Sequence, residues 1–144
     1  MILVDGHNLL YAARARFAAH LADGHPGAAA REALVQQLLA LFDRAGPEVR
    51  VYFDGGTPHT EQRSARVTVL YPGGKGDQRA DGAILAALRE PAGPDKAARE
   101  AAEHAPAPVV VTRDIRLAKR ARRRGASVID PAKFLADCDA GLIP

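Results

Sequence analysis

The chain contains few cysteine and aromatic residues, which excludes or disfavours several kinds of site. Its single cysteine, Cys138, excludes an internal disulfide and a metal site built from cysteine thiolates. A bound metal would therefore be held by oxygen or imidazole ligands. The 144 residues include four phenylalanines and three tyrosines but no tryptophan, so the composition gives little sign of an extended surface for stacking nucleobases.

Long hydrophobic runs are also missing. No stretch approaches the roughly 18 uninterrupted apolar residues of a membrane-spanning helix. The apolar N-terminal segment is short and lacks the basic flank of a signal peptide, so we expect a cytoplasmic protein without membrane association. An apolar fraction of 47% and a charged fraction of 26% are typical of a folded protein, and the length fits one domain over residues 1–144.

Apolar runs separated by turn signals predict alternating strands and helices. Five segments read as strands, namely MILVD, VRVYFDGG, RVTVLYPGG, PVVVTRD and ASVID. Five read as helices, namely LVQQLLALFDRAG, DQRADGAILAALRE, PDKAAREAAEHA, IRLAKRARRRG and PAKFLADCD. This alternation predicts an α/β fold, a three-layer α/β/α sandwich around a mainly parallel sheet. Residues 23–27 and the PGGKG stretch are predicted to be loops.

Aspartates follow three of the predicted strands: Asp5, Asp54 and Asp114. The carboxyl ends of parallel strands share one edge of the sheet, so we expect these acids to lie near one another. Two more, Asp77 and Asp81, stand four residues apart at the start of a predicted helix and would share one of its faces. Like charges so close together are unfavourable unless a cation accompanies them.

Each acid also has a purely structural interpretation. Asp114 could cap the helix that begins at Ile115, and Asp54 could start the Asp-Gly-Gly turn. Asp130 before Pro131 is typical of a helix N-cap, and we leave it out of the site. A cap does not explain Asn8, which is placed to turn its side-chain amide back onto the edge that carries Asp5.

Converging carboxylates without cysteine favour a hard cation, Mg²⁺ or Mn²⁺, as one ion or two. Such ions assist the displacement at phosphorus that cleaves a phosphodiester bond. The residues therefore predict a metal-assisted nuclease.

The segment RLAKRARRRG concentrates basic side chains on one predicted helix. They can complement the helix dipole at a solvated helix end, or they can form a phosphate-binding surface. On the second interpretation, the candidate residues for binding nucleic-acid phosphates are Lys75, Arg113, Arg116, Lys119, Arg120 and Arg123.

Four motifs in order, VDGHN, VYFDG, GDQRADGAI and VVVTRD, resemble the NYN domains of the PIN-like nuclease superfamily, and most closely the YacP-type family of small bacterial ribonucleases. The resemblance implies a PIN-like fold and an endoribonuclease that depends on Mg²⁺ or Mn²⁺ and leaves 5′-phosphate and 3′-hydroxyl ends. By position, it implies that Asp5, Asp81 and Asp114, with Asp77, bind metal and act in catalysis.

The resemblance also assigns supporting roles. Asn8 would orient the first aspartate or a water on the metal. Thr112 and Asp54 would contact the metal-binding acids without binding the metal themselves. RNA, in single-stranded form, is the expected partner, with the ribosome as a further one.

The chain departs from this family pattern at two positions. His7 stands where the family commonly has tyrosine, and Gly82 stands where it often has a second acid. Gly82 favours an alternative, a catalytically weak or inactive module that binds RNA or the ribosome. A DNA-directed nuclease of the same fold is another alternative, and a phosphohydrolase or phosphoacceptor domain is disfavoured because DGHN lacks a second acid two residues after Asp5.

Overall fold

Eight strands and six helices make up the chain as the computed structural model describes it, over residues 1–73, 79–88 and 95–142. The strands are β1 (Ile2–Asp5), β2 (Leu21–Ala22), β3 (His25–Pro26), β4 (Val49–Tyr52), β5 (His59–Gln62), β6 (Val67–Tyr71), β7 (Val109–Val111) and β8 (Ser127–Ile129). The helices are α1 (Gly6–Ala12), α2 (Ala28–Phe42), α3 (Arg79–Ala87), α4 (Lys96–His104), α5 (Ile115–Arg123) and α6 (Pro131–Asp139), with a 3-10 turn at Ala18–His20.

Six strands form the central sheet in the order β5-β6-β4-β1-β7-β8. All neighbouring pairs are parallel except β5 with β6. The central strand β1 ends at Asp5, which lies opposite Tyr52 of β4. The carboxyl ends of β1, β4, β6, β7 and β8 therefore share one edge, where open α/β folds bind their ligands.

Two hydrophobic cores cover the two faces of the sheet. On one face, α1, α2 and α6 pack on alternate strand residues such as Val4 and Val51. On the other face, α3 and α5 pack on Leu3, Tyr52 and Val110. The predicted α/β/α sandwich with a mainly parallel sheet is confirmed. None of the helices in the described part of the chain is long and apolar enough to cross a membrane.

The structure adds elements that the sequence did not predict. Helix α1 begins directly after Asp5, where the sequence predicts no helix. The predicted loop at residues 23–27 was wrong in part, because Asp23 and Gly24 form the turn of a short hairpin between β2 and β3. Both have positive φ angles, 51° and 77°, as the tightest hairpin turns require. Strand β5 is the third addition.

Candidate active site

Asp5 ends the central strand and is buried, with 6% of its surface exposed. Its pKa is raised to about 7, first by burial and then by the charges of Asp81 and Asp54. Hydrogen bonds from the Thr112 hydroxyl and the Asn8 backbone act in the opposite direction. The carboxylate is therefore held where its negative charge is poorly tolerated at neutral pH.

Asp81 lies in the first turn of α3, beside the buried residues Ile84 and Leu85 that pack this helix on the sheet. Its pKa is raised to about 6 by partial burial, then by the charges of Asp114 and Asp54, while Arg120 lowers it. Because Asp81 also acts on Asp5, the acids from β1, α3 and the start of α5 form one electrostatic cluster.

Thr112 connects two of these acids. Its hydroxyl donates a hydrogen bond to Asp5 Oδ2 at 3.1 Å and accepts one from the backbone N–H of Asp114, also at 3.1 Å. Asp114 is the N-cap of α5, since its Oδ1 accepts the N–H of Leu117 at 3.0 Å. The capping role considered from the sequence is therefore present, and it leaves the Oδ2 atom of Asp114 without a hydrogen bond to the described part of the chain.

Asn8 fixes the chain that follows β7. Its Oδ1 accepts the backbone N–H of Arg113 at 2.6 Å, which ties α1 to the residue between Thr112 and Asp114. The Arg113 guanidinium turns away and forms an ion pair with Asp130, with Nε and Oδ1 2.8 Å apart. Asp130 also caps α6 through the N–H groups of Ala132 and Lys133, as its Asp-Pro sequence predicted.

Asp54 does more than begin a turn. Its Oδ1 accepts the N–H of Ala80 at 2.9 Å, so it holds the first turn of α3, which carries Asp81, against the end of β4. The backbone N–H of Asp54 donates to Nδ1 of His7 at 3.2 Å, which requires that nitrogen to be unprotonated. The pKa of His7 is lowered, first by burial, in keeping with a neutral ring.

Gly6 allows the first acid and α1 to lie this close to β4. A Cβ atom at this position would clash with the Phe53 ring and would stand 2.8 Å from the carbonyl oxygen of Tyr52. Any side chain would therefore push α1 away from β4 and displace His7 and Asn8. The glycine of the DGHN motif is thus required by packing.

A cavity of about 100 Å³ opens beside the acids, between α3 and α5. Its lining residues are Asp81, Gly82, Leu85, Asp114, Arg116, Leu117 and Arg120. The cavity thus brings two carboxylates and two guanidinium groups together: Asp81 comes from α3, and Asp114, Arg116 and Arg120 come from α5 and its N-cap. Gly82 leaves room here, because a Cβ atom built on it has no heavy atom within 4 Å.

Among the described residues, the other candidate RNA-binding residues do not line the cavity beside Asp81 and Asp114. Lys119 and Arg113 line a second cavity of about 260 Å³ that also includes Thr112 and Asp130. Arg123 is exposed near the end of α5. Lys75 and Asp77 lie outside the described residues.

The donor chemistry of the edge fits a divalent cation. Within residues 1–73, 79–88 and 95–142, no three acidic, histidine or cysteine side chains are already close enough to enclose a metal ion. Burial and then mutual repulsion nevertheless raise the pKa values of Asp5 and Asp81, and a hard cation relieves that repulsion. Magnesium keeps several waters and needs only one or two protein carboxylates, so an incomplete ring of acids suits it.

Sequence reasoning missed residues on the opposite side of the same edge. Arg31 on α2, His59 on β5 and Tyr71 on β6 come together with His7 and Phe53. None belongs to a recognisable motif, and only the pairing of β5 with β6 places them at the edge. His7, already noted as a departure from the family pattern, was the one available signal.

Aspartates at the carboxyl edge of a mainly parallel sheet, faced by the arginines of α5, place the chain among proteins with a PIN-like nuclease fold. Within this class the chain belongs to the YacP-like NYN domain family, which it matches over residues 2–140. Its fold is similar to the crystal structure of Rae1 (YacP) from Bacillus subtilis, a tryptophan-to-leucine mutant, with a TM-score of 0.67 and 22% identity over 96% of this chain and 74% of the other. No curated protein sequence matches the chain significantly.

Proposed function

We propose that the protein is an endoribonuclease that depends on Mg²⁺ or Mn²⁺ and hydrolyses RNA to 5′-phosphate and 3′-hydroxyl ends. The observation that carries this proposal is a cluster of partly or fully buried acids: the pKa values of Asp5 and Asp81 are raised first by burial and then by the charges of Asp81 on Asp5 and of Asp114 on Asp81. Strongly perturbed carboxylates gathered in a crevice are a mark of functional sites. Membership of the YacP-like NYN family supports the same activity.

Asp5, Asp81 and Asp114 would hold the cation, and Asp77 is a further ligand in the proposal. When bound, the ion supplies charge neutralisation at the scissile phosphate and activation of the attacking water. Hydrolysis breaks the bond between phosphorus and the 3′ oxygen, while the oxygen of water bonds to phosphorus. The leaving 3′ oxygen takes up a proton to become the hydroxyl.

The remaining residues orient these groups and the substrate. Thr112 fixes Asp5 relative to the start of α5, and Asp54 fixes the turn that carries Asp81. Arg116 and Arg120 line the cavity beside the acids, where guanidinium groups can pair with the phosphates that flank the cleaved bond. Arg113 is a weaker candidate because its guanidinium already pairs with Asp130.

The test is incubation of the purified protein with labelled single-stranded RNA and single-stranded DNA, in Mn²⁺ or in EDTA. We expect RNA cleavage in Mn²⁺, none in EDTA, and a loss of at least about 100-fold in both Asp5→Asn and Asp81→Asn. Asp23→Asn, which changes an exposed acid in the β2–β3 turn, is the matched control and should cleave normally. Cleavage that survives both active-site substitutions would contradict the proposal. Preferred cleavage of DNA would contradict its assignment of RNA as the substrate.

A second candidate, an RNA-binding or ribosome-binding module without catalysis, is favoured by one observation. Gly82 stands beside Asp81 at the cavity, where a second acid is frequent in the family. The same assay separates the two candidates, because a binding module would retain RNA on a filter but leave it uncut in Mn²⁺.

A further inference from the structure

A row of aromatic rings leads away from the acids along the edge of the sheet. His7 meets Phe53 edge to face, with ring centroids 5.5 Å apart. Phe53 is followed by Tyr71 at 5.6 Å, and Tyr71 by His59 at 4.4 Å. The last pair is stacked, with only 11° between the ring planes. Histidine supplies two of these four rings, which is why a count of phenylalanine, tyrosine and tryptophan underestimates the aromatic surface of this edge.

The register of the sheet places this row next to the proposed cleavage site. Asp5 pairs with Tyr52 and Tyr52 with Leu70, so Phe53 and Tyr71 lie one residue beyond the level of Asp5. His59 pairs with Tyr71 at the start of β5. The row begins at His7, whose Nδ1 accepts the backbone N–H of Asp54, and ends at the outer strand of the sheet.

The row and the carboxylates lie on opposite sides of the crevice. Phe53 and Tyr71 pack with the core beneath α2, whereas Asp81 and the helix capped by Asp114 belong to the α3 and α5 face. A nucleic acid strand in the crevice would therefore have the acids and α5 on one side and the rings on the other.

His59 presents the most accessible ring. One face stacks on Tyr71, and 47% of its side chain is exposed. Its two nitrogens are anchored, Nδ1 to the Thr57 carbonyl at 2.8 Å and Nε2 to Glu61 at 3.0 Å. A ring held in this way loses little conformational freedom when a nucleobase stacks on it.

Arg31 provides a cation in the middle of the row. Its guanidinium carbon lies 6.0 Å from the centre of the Tyr71 ring. Burial is the main cause that lowers the pKa of His7, and the charge of Arg31 acts in the same direction, so Arg31 lies near both rings. Its buried Nε has no hydrogen-bond partner among the described residues. The neighbouring Arg63, in contrast, is paired with Glu32 and Glu61. Arg31 thus lines this cavity, about 270 Å³ in volume, without an ion pair among the described residues, and its guanidinium is the cation there that is left to meet a phosphate.

We propose that His59, Tyr71, His7 and Arg31 form a nucleobase-binding subsite for single-stranded RNA beside the cleavage site, an inference that rests on the proposed function. A base stacks on the exposed face of His59 and continues the stack with Tyr71, and Arg31 binds a neighbouring phosphate. Single-stranded RNA fits this arrangement because its bases are free to leave the helical stack.

The test is equilibrium binding by fluorescence anisotropy of the full chain in EDTA, with a labelled oligouridylate and with an abasic ribose-phosphate oligomer of equal length. Removing the ring in His59→Gln should weaken oligouridylate binding by about 5- to 10-fold, the lower range for loss of one stacked base. It should leave binding of the abasic oligomer unchanged. His59→Phe, which keeps a ring, should bind oligouridylate within about 2-fold of the wild type.

His104→Gln, which changes an exposed histidine on α4, is the matched control and should bind as the wild type does. Thermal unfolding of each variant verifies that it is folded. The inference is overturned if His59→Gln binds oligouridylate normally, if it weakens both oligomers equally, or if His59→Phe binds as poorly as His59→Gln. A protein that cleaves RNA but shows any of these results retains the proposed function, whereas a wild type that neither binds nor cleaves RNA loses both.

Discussion

The hydroxyl of Thr112 donates to the buried carboxylate of Asp5 at 3.1 Å, and the same oxygen accepts the backbone N–H of Asp114. One side chain therefore sets the relative position of two proposed metal ligands. In Thr112→Val the Asp5 carboxylate loses a donor that lowers its pKa, and the N–H of Asp114 loses its acceptor. An unpaired buried polar group costs about 1–3 kcal/mol.

We expect Thr112→Val to lower the thermal midpoint by several degrees and RNA cleavage by at least about 10-fold, with the cleavage profile moved to higher pH. Thr112→Ser keeps the hydroxyl and should retain the thermal midpoint, the cleavage rate and the pH profile of the wild type. Equal activity and equal pH profiles for valine and serine would show that the hydroxyl has no positioning role.

The metal-free protein should lose stability as the pH rises. The folded-state pKa of Asp5, about 7, lies above the ordinary value of 3.8, so the folded state binds this proton more tightly than the unfolded state. This contribution is complete below about pH 4 and disappears as the pH passes about 7. Since one pKa unit corresponds to about 1.4 kcal/mol, the free energy of unfolding should fall by on the order of 2–3 kcal/mol between pH 5 and pH 8 through this group.

Urea denaturation in EDTA at several pH values measures how steeply the free energy of unfolding falls with pH. Asp5→Asn, which cannot ionise, should show a flatter dependence on pH than the wild type, whereas Asp23→Asn should follow the wild type. If Asp5→Asn has the wild-type slope, Asp5 is not the group that titrates.

Gly82→Asp should strengthen cation binding. The position lines the cavity beside Asp81 and Asp114, and an added Cβ atom meets nothing within 4 Å. A further carboxylate oxygen at this place would add a ligand, and replacing glycine within a helix also removes a cost of up to about 1 kcal/mol. We expect half-maximal cleavage at a Mn²⁺ concentration about 5- to 10-fold lower than for the wild type.

Gly82→Asn supplies the same shape without the charge and is the control for that experiment. It should lower the Mn²⁺ concentration for half-maximal cleavage much less than Gly82→Asp does. An unchanged Mn²⁺ requirement in Gly82→Asp would place the cation away from this cavity.

Arg120 should contribute to RNA binding through phosphate. It lines the cavity beside Asp81 and lowers the pKa of that acid. Arg120→Gln should weaken RNA binding and reduce the slope of log K against log salt by about 1, as expected for one phosphate contact. Arg14→Gln, at an exposed position beyond the end of α1, should leave the slope unchanged. Equal slopes for wild type and Arg120→Gln would remove Arg120 from the phosphate-binding surface.

The sheet was predictable because its parallel strands are dense in apolar and β-branched residues, as in Val109–Val111, which is covered on both faces. Strand β5 was missed because its sequence HTEQ carries no such signal. It exists through its pairing with β6, and its edge position leaves most of its residues in solvent. Helix α1 was missed because Gly6 normally disfavours a helix, and here the close approach of Phe53 requires it.

The site was predictable to the extent that the sequence places acids at the ends of parallel strands. Which partner each side chain selects was not predictable, because those partners are distant in sequence. Asp54 looked like a turn residue but accepts the N–H of Ala80, and Asn8 accepts the N–H of Arg113. The meeting of Arg31 with Tyr71 depends in the same way on how α2 packs across β6.

Calorimetric titration of the metal-free protein with Mn²⁺ tests the central claim, that acids from three separate segments bind one kind of cation together. Because the pKa values of Asp5 and Asp81 are raised, a bound cation should displace protons from them, and the measured heat at pH 6.5 should depend on the ionisation enthalpy of the buffer. We predict saturable binding by the wild type and by Asp23→Asn, and binding at least about 10-fold weaker in Asp5→Asn and in Asp81→Asn. Wild-type affinity in both active-site variants, or no saturable heat in the wild type, would contradict the account.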